Sequence, residues 1–230
     1  MKIVFIGDSI TAAVPGVSFV DMVANAYPEH EVLNYGKGGD TVQSVLTRLQ
    51  EMRIASEIDL IFLLIGVNDV FVKTGWWHPT LKLVMKQPWA KTKEEFYLAY
   101  HKLIEFLLPY TKQLVLLPPL LVGEQINNPS NQLLQEYFAE LKELIERYQL
   151  PFLDVRASFE DYLKDKTPSS YVPKRINQLR KDVLQLTTDA LIDEASKKRH
   201  LYLTLDGVHL NTKGATLVFD AVHQYLKETQ

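Results

Sequence analysis

The chain has no cysteine, which excludes disulfides, thiol nucleophiles and cysteine-ligated zinc and suits a reducing compartment. Long apolar runs are also missing. The run at residues 3–6 is too short for the core of a signal peptide, and no other approaches the ~20 residues needed to cross a bilayer. A cytoplasmic protein without an integral membrane segment is the expectation. No charge of one sign dominates: the formal net charge is −3, and the basic residues are scattered apart from Lys197-Lys198-Arg199-His200, which reads as a solvated helix end. No nucleic-acid partner is expected. Repeats, low-complexity tracts and interdomain linkers are absent as well, so the 230 residues read as one domain with insertions at about 70–93 and 165–200.

What is present is a regular alternation. The apolar runs at residues 3–6, 60–65, 114–117 and 152–155, with 31–35 as a weaker fifth, are continuous rather than alternating. That pattern belongs to strands covered on both faces, as in parallel sheets. Between them lie stretches of helical period. Residues 17–27 carry Phe19, Val20, Val23 and Ala24 on one face and open on Ser18 with Asp21 three positions on, a capping-box pattern. Residues 42–54, 94–108 and 133–148 are further helices, the last with Leu133, Leu134, Tyr137, Phe138, Leu141, Leu144 and Ile145 inward. Within the second insertion, Ile176, Leu179, Val183, Leu186, Ala190 and Ile192 make one amphipathic face. A last helix spans residues 212–227, with Asn211 or Thr212 as its N-cap. Strands alternating with helices predict an α/β fold, a doubly wound three-layer α/β/α sandwich whose ligands sit at the carboxyl ends of the strands.

Four short stretches stand where those ends converge: Gly7-Asp8-Ser9-Ile10, the turn from Asn34 to Thr41, Gly66-Val67-Asn68-Asp69, and Asp206-Gly207-Val208-His209-Leu210-Asn211. Acyl transfer needs a hydroxyl, a base that takes its proton, and a partner that fixes the base's tautomer. Ser9, His209 and Asp206 are the right residue types for those roles. It also needs donors aimed at the developing oxyanion. The backbone N–H groups of Ser9 and Gly39 and the Asn68 amide are candidates, and the helix after Gly39 directs its positive end there. Asp206 and His209, three apart, can project together from a turn.

In order and in residue type these stretches resemble the blocks of the SGNH hydrolases, the GDSL-type serine esterases and lipases. The resemblance runs from the first strand to the last helix. It implies a flavodoxin-like sheet of about five parallel strands, Ser9 as nucleophile, Gly39 and Asn68 as oxyanion donors, Asp206 and His209 as the Asp-x-x-His pair, and no cofactor or metal. Ile10 replaces the leucine of the name-giving motif. Gly36 and Gly38 compete with Gly39, which is chosen for the Asp40-Thr41 that follows it.

Other readings exist for each stretch. Gly-Asp-Ser after a strand is common turn chemistry. Residues 34–41 lack the spacing of a P-loop or dinucleotide fingerprint. Asp8, Asp69, Asp206 and His209 are hard-metal ligand types, but a metal site leaves Ser9, Gly39 and Asn68 without a joint explanation. Asp8 and Asp69 are taken as turn-forming carboxylates. His30, His101, His200 and His223 suit surface or packing roles, while His78 lies in the first insertion. That insertion follows Asn68 directly and holds Trp76, Trp77 and Trp89. With His78, Phe71 and Met85 these are candidates for a substrate pocket or lid, and equally for an anchor or a contact between copies, so a homo-oligomer stays open. The expected activity is hydrolysis of a small-molecule ester, by a short-chain carboxylesterase or deacetylase of acylated compounds or sugars. A lysophospholipase or thioesterase is the alternative within the class, and a non-catalytic ligand-binding module the alternative outside it.

Overall fold

The computed structural model describes residues 1–52, 54, 57–74, 87–174 and 176–229. Trp76, Trp77, His78 and Met85 lie outside the described residues. The first apolar run forms β1 (Lys2–Gly7), followed by β2 (Glu31–Gly36), β3 (Ile58–Leu64) and β4 (Thr111–Leu117). All pair in parallel in the order β2-β1-β3-β4. The helices in chain order are α1 (Ser9–Ala12), α2 (Phe19–Ala26), α3 (Val42–Glu51), α4 (Val67–Thr74), α5 (Lys93–Leu107), α6 (Pro129–Ala139), α7 (Lys142–Arg147), α8 (Val155–Leu163), α9 (Ile176–Gln185), α10 (Asp189–Lys198) and α11 (Thr212–Thr229). The group α3 and α5 packs together, as does the group α2, α8 and α11 around the last helix, so the sheet is flanked by helices.

The continuous apolar strands follow from that covering. Ile3, Val4, Phe5 and Ile6 of β1 and Ile61, Phe62 and Leu63 of β3 are all fully buried. Phe5 stacks on Phe62 at 4.9 Å and meets Phe19 of α2 edge-on at 5.7 Å, tying sheet to helix layer. Truncating such a ring to alanine typically costs about 3–5 kcal/mol. Local signals set the helix starts: Ser18 accepts from the Asp21 N–H (3.0 Å), and Asn211 accepts from the Gly214 N–H (3.0 Å), so Asn211 opens α11.

Three elements differ from the sequence expectation. Residues 152–155 make only one parallel bridge, Phe152 to Leu116, closed by Leu116 N–H to Pro151 O and Leu153 N–H to Leu116 O at 2.9 Å each. Pairing stops there because Asp154 accepts from the Ala157 N–H (3.0 Å) and turns the chain into α8. The helix expected over 133–148 is split into α6 and α7. At the join the Leu141 N–H reaches Phe138 O (3.0 Å), a tightened turn that keeps both Leu141 and Leu144 in the core. The second insertion likewise carries two helices, because Thr188 caps α10 by accepting from the Leu191 N–H (3.3 Å). Its apolar face holds only in part: Ile192 is buried and Leu186 packs against the core, but Val183 and Ala190 are exposed, and the residue that α9 buries is Asp182.

The sheet order places a topological switch beside β1, whose neighbours β2 and β3 lie on opposite sides. Register brings the strand ends level, with Gly7 opposite both Gly36 and Leu64 and Leu64 opposite Leu117. The residues just beyond β1, β2, β3 and β4 therefore face one crevice.

Candidate active site

Ser9 is the first residue of α1, immediately beyond β1. Asp8 shapes this entry, its Oδ1 accepting from the Ile10 N–H (2.9 Å). Strand end, carboxylate-capped turn and helix start thus present the Ser9 hydroxyl at the carboxyl edge of the sheet. Ser9 is 8 % exposed. Its own N–H, first in the helix, has no carbonyl within the helix to meet.

The segment before α11 folds back on itself through a single antiparallel bridge, Thr204 to Leu210, with Leu205 N–H donating to His209 O (2.8 Å). Gly207 sits in the turn at φ +88°, where a Cβ would also lie 2.6 Å from Tyr171 O, so this position requires glycine. The turn brings Asp206 and His209 together. Asp206 Oδ1 accepts from the N–H groups of Val208 (3.0 Å) and His209 (2.8 Å), and Oδ2 lies 2.7 Å from His209 Nδ1. His209 Nε2 lies 2.9 Å from Ser9 Oγ. The network assigns the proton to Nδ1, which donates to Asp206 and leaves Nε2 as acceptor for the Ser9 hydroxyl.

Both members of the pair are buried, Asp206 fully and His209 to within 6 %. Burial alone would push the His209 pKa down, but the Asp206 carboxylate, with Asp8 and Asp182 further off, outweighs it and holds the imidazole above the usual histidine range. Burial pushes the Asp206 carboxyl up. Its charge and hydrogen-bond contacts with His209 and the Val208 N–H reverse that and keep it below the usual carboxylate range. Such a pair titrates as a unit.

Gly39, between β2 and α3, adopts φ +77°, the left-handed conformation that turns the chain from one into the other. Thr41 and Ser44 form a reciprocal capping box at the start of α3. Asp40 is buried and held by Ser44 Oγ (2.9 Å) and Arg48 Nε (2.8 Å), which fixes the glycine turn against α3. Asn68, in the first turn of α4 and 7 % exposed, donates through Nδ2 to Asp40 O (3.0 Å) and, at longer range, to Asp8 Oδ2 (3.3 Å). Asp69 accepts from the Val42 N–H (3.1 Å). Asp8 and Asp69 therefore shape turns and helix starts. Among the described residues no group of three or more histidine or acidic side chains is placed to hold a metal ion.

The structure brings Ser9, Asp206 and His209 into one hydrogen-bonded chain, with Asn68 and the 38–41 turn joined through Asp8 and Asp40. Trp89 is half-buried. Its neighbour Pro88 accepts from the Thr41 hydroxyl, and Gln87 reaches Gly38 O (3.5 Å), so this end of the first insertion is docked on the glycine turn. A cavity of about 480 Å³ is lined by Phe71, Val122, Gly123, Val172, Pro173 and Lys174, among others. It adjoins the Asp206–His209 turn, since Gly123 N–H donates to Gly207 O (2.6 Å) and a Cβ on Gly207 would meet Val172.

Two residues escaped sequence reasoning. Arg199 is no solvated helix end: it forms a two-point pair with Asp182 (2.7 and 2.9 Å), donates to Leu205 O (2.8 Å) and stacks over the Tyr171 ring. The second insertion thereby holds the residue next to Asp206. Glu124, fully buried, accepts from the N–H groups of Tyr202, Leu203 and Thr204. A lone acidic residue after Gly123 gave no local signal of this.

A model of the GDSL-like lipase/acylhydrolase family matches residues 5–217. The chain belongs to that family. This acylhydrolase is accordingly a serine hydrolase acting on ester bonds. It is 28 % identical over 198 residues to an acetylxylan esterase of Geobacillus stearothermophilus, an alignment covering 76 % of this chain and 85 % of the relative. The fold matches a solved catalytic mutant of an acetylxylan esterase from the same organism, with TM-score 0.68, 22 % identity and coverage of 97 % of this chain and 92 % of the other. It also matches the acetyl xylan esterase AlAXEase, with TM-score 0.69, 20 % identity and coverage of 98 % and 99 %. Among the described residues of the acylhydrolase no helix is long and apolar enough to cross a membrane.

Proposed function

We propose that the acylhydrolase removes short acyl groups, acetyl foremost, from hydroxyls of sugars or similar small molecules, with Ser9 as nucleophile, His209 as base and Asp206 as its orienting acid. The observation that carries the roles is the unbroken chain from Asp206 Oδ2 through both ring nitrogens of His209 to Ser9 Oγ, at 2.7 and 2.9 Å. The acetylxylan esterase relative supports the substrate class.

The chemistry follows from those contacts. Ser9 Oγ attacks the ester carbonyl as Nε2 takes its proton, and the imidazolium so formed is stabilised by the Asp206 carboxylate. The carbonyl oxygen, now negative, is met by the N–H groups of Ser9 and Gly39 and by Asn68 Nδ2. Of the two Asn68 bonds, the 3.3 Å contact to Asp8 is the longer and is the one exchanged for the oxyanion, while the 3.0 Å bond to Asp40 O keeps the amide aimed. The imidazolium returns its proton to the leaving alcohol as the carbon–oxygen bond breaks. Water, deprotonated by Nε2, then attacks the acyl-enzyme and releases the carboxylic acid and Ser9.

A substrate panel tests the reading. Acetylated xylo-oligosaccharide and p-nitrophenyl acetate are turned over faster, by kcat/KM, than the octanoyl and palmitoyl esters. Rates that climb with each added methylene would instead identify a lysophospholipase or thioesterase. Binding without turnover across the panel would identify a ligand-binding module.

A further inference from the structure

The loop after β4 holds the segment that carries Asp206 and His209 at two points. Gly123 N–H donates to Gly207 O (2.6 Å), inside the turn itself. One residue on, the Glu124 carboxylate is fully buried, yet no cation pairs with it among the described residues. Leaving a charge out of water is costly unless hydrogen bonds satisfy it. Here four do: Oε2 accepts from the Tyr202 N–H (2.7 Å), and Oε1 from the Leu203 N–H (2.8 Å), the Thr204 N–H (2.7 Å) and the Thr204 hydroxyl (2.6 Å). The same Thr204 hydroxyl oxygen accepts from the Gly207 N–H (2.9 Å). Two bonds thus connect the buried carboxylate to the residue that follows Asp206. The gripping loop is itself fixed, since Asn131 accepts from the Val122 N–H (2.8 Å) and donates to Gly123 O (2.9 Å).

We infer that Glu124 is a positioning residue: its carboxylate organises residues 202–207 so that Asp206 meets His209 Nδ1 and His209 Nε2 meets Ser9. The inference rests on the roles proposed above for Asp206 and His209. A fixed anion suits this task because it accepts all four donors without rotating, so the turn is set before substrate arrives. Displacement of a reacting group by about 1 Å can cost on the order of 100-fold in rate.

The test compares Glu124→Gln, Thr204→Val and His209→Ala with the parent enzyme on p-nitrophenyl acetate. Glutamine keeps the volume but offers one acceptor oxygen, so its NH2 must face at least one of the backbone N–H groups. The expected result for Glu124→Gln is a kcat lower by about tenfold or more with KM nearly unchanged. The acid limb of kcat/KM moves to lower pH, because the loosened Asp206 contact no longer holds the His209 proton while Asp8 and Asp182 stay in place. The far-downfield proton resonance of the His209 Nδ1–H bond weakens. Thr204→Val, which cuts only the two-bond connection to Gly207, shifts the same readouts in the same direction by less.

A parental kcat and acid limb in a folded Glu124→Gln enzyme overturns the inference. So does a fall in kcat and melting temperature with the acid limb and the downfield resonance unmoved, which marks Glu124 as holding only the fold. If Glu124→Gln does not fold, Thr204→Val decides alone, and parental kcat and limb there overturn the inference. Parental turnover in His209→Ala is a separate result: it removes the base assignment, and the inference with it.

Discussion

Replacing Asp206 by asparagine should reverse the tautomer of His209 while leaving the shape of the site intact. In the parent, Asp206 Oδ1 accepts two backbone N–H groups, at 2.8 and 3.0 Å, and Oδ2 accepts from Nδ1 at 2.7 Å. An amide has only one oxygen. If it stays on the two backbone donors, its NH2 points at Nδ1, which must then accept. The ring proton moves to Nε2, and the Ser9 hydroxyl loses its base. Recovering the active tautomer requires flipping the amide so that NH2 confronts both backbone N–H groups. Each donor left unsatisfied costs about 1–3 kcal/mol, together about 2–6 kcal/mol, which corresponds to roughly 30- to 20,000-fold in rate. The corresponding change in a serine protease triad costs about 10⁴-fold in kcat, inside that range. The assay is kcat on p-nitrophenyl acetate across pH, with circular dichroism as the folding control. Raising the pH should not rescue the variant, since the defect is the site of the proton and not its affinity. A folded variant with kcat within about fivefold of the parent would refute the tautomer argument.

Other outcomes follow from the same contacts. The acid limb of kcat/KM should have its midpoint above 6.5, because Asp206 holds His209 protonated to higher pH than a free imidazole and only the neutral ring can take the Ser9 proton; a midpoint at or below 6.5 contradicts this. Asn68→Ala should lower kcat by about 100- to 1,000-fold with a smaller change in KM, as for loss of one oxyanion donor, and steady-state kinetics on the acetyl ester would show it. Arg199→Met strands the buried Asp182 carboxylate and frees Leu205 O, so stability should fall by about 1.5–3 kcal/mol. Urea unfolding measures this, and an unchanged midpoint would show that the pair contributes nothing.

Much of the architecture could be read locally. β1, β3 and β4 announce themselves as unbroken apolar runs because helices cover both faces of the sheet, and Ser18 and Asn211 mark helix starts with their own side chains. The three blocks beyond β1, β2 and β3 and the fourth before α11 were legible for the same reason, each being complete within a few residues. Elements decided by distant partners were not. Phe152 and Leu153 have strand composition, but the Asp154 cap ends the pairing after one bridge. The predicted apolar face keeps Leu186 and Ile192 but fails at Val183 and Ala190, because α9 turns Asp182 inward onto Arg199, seventeen residues away in sequence. Glu124 acts across 78 to 80 residues, a separation at which a single acidic side chain leaves no periodic trace.

The central claim is that Ser9 carries the acyl group between the two halves of the reaction. Mass spectrometry of the enzyme after reaction with a fluorophosphonate probe tests it most directly. The account predicts one adduct, on the peptide containing Ser9, matched by loss of esterase activity and absent from Ser9→Ala, which itself has no turnover. An adduct on another residue, or parental turnover in Ser9→Ala, would contradict it.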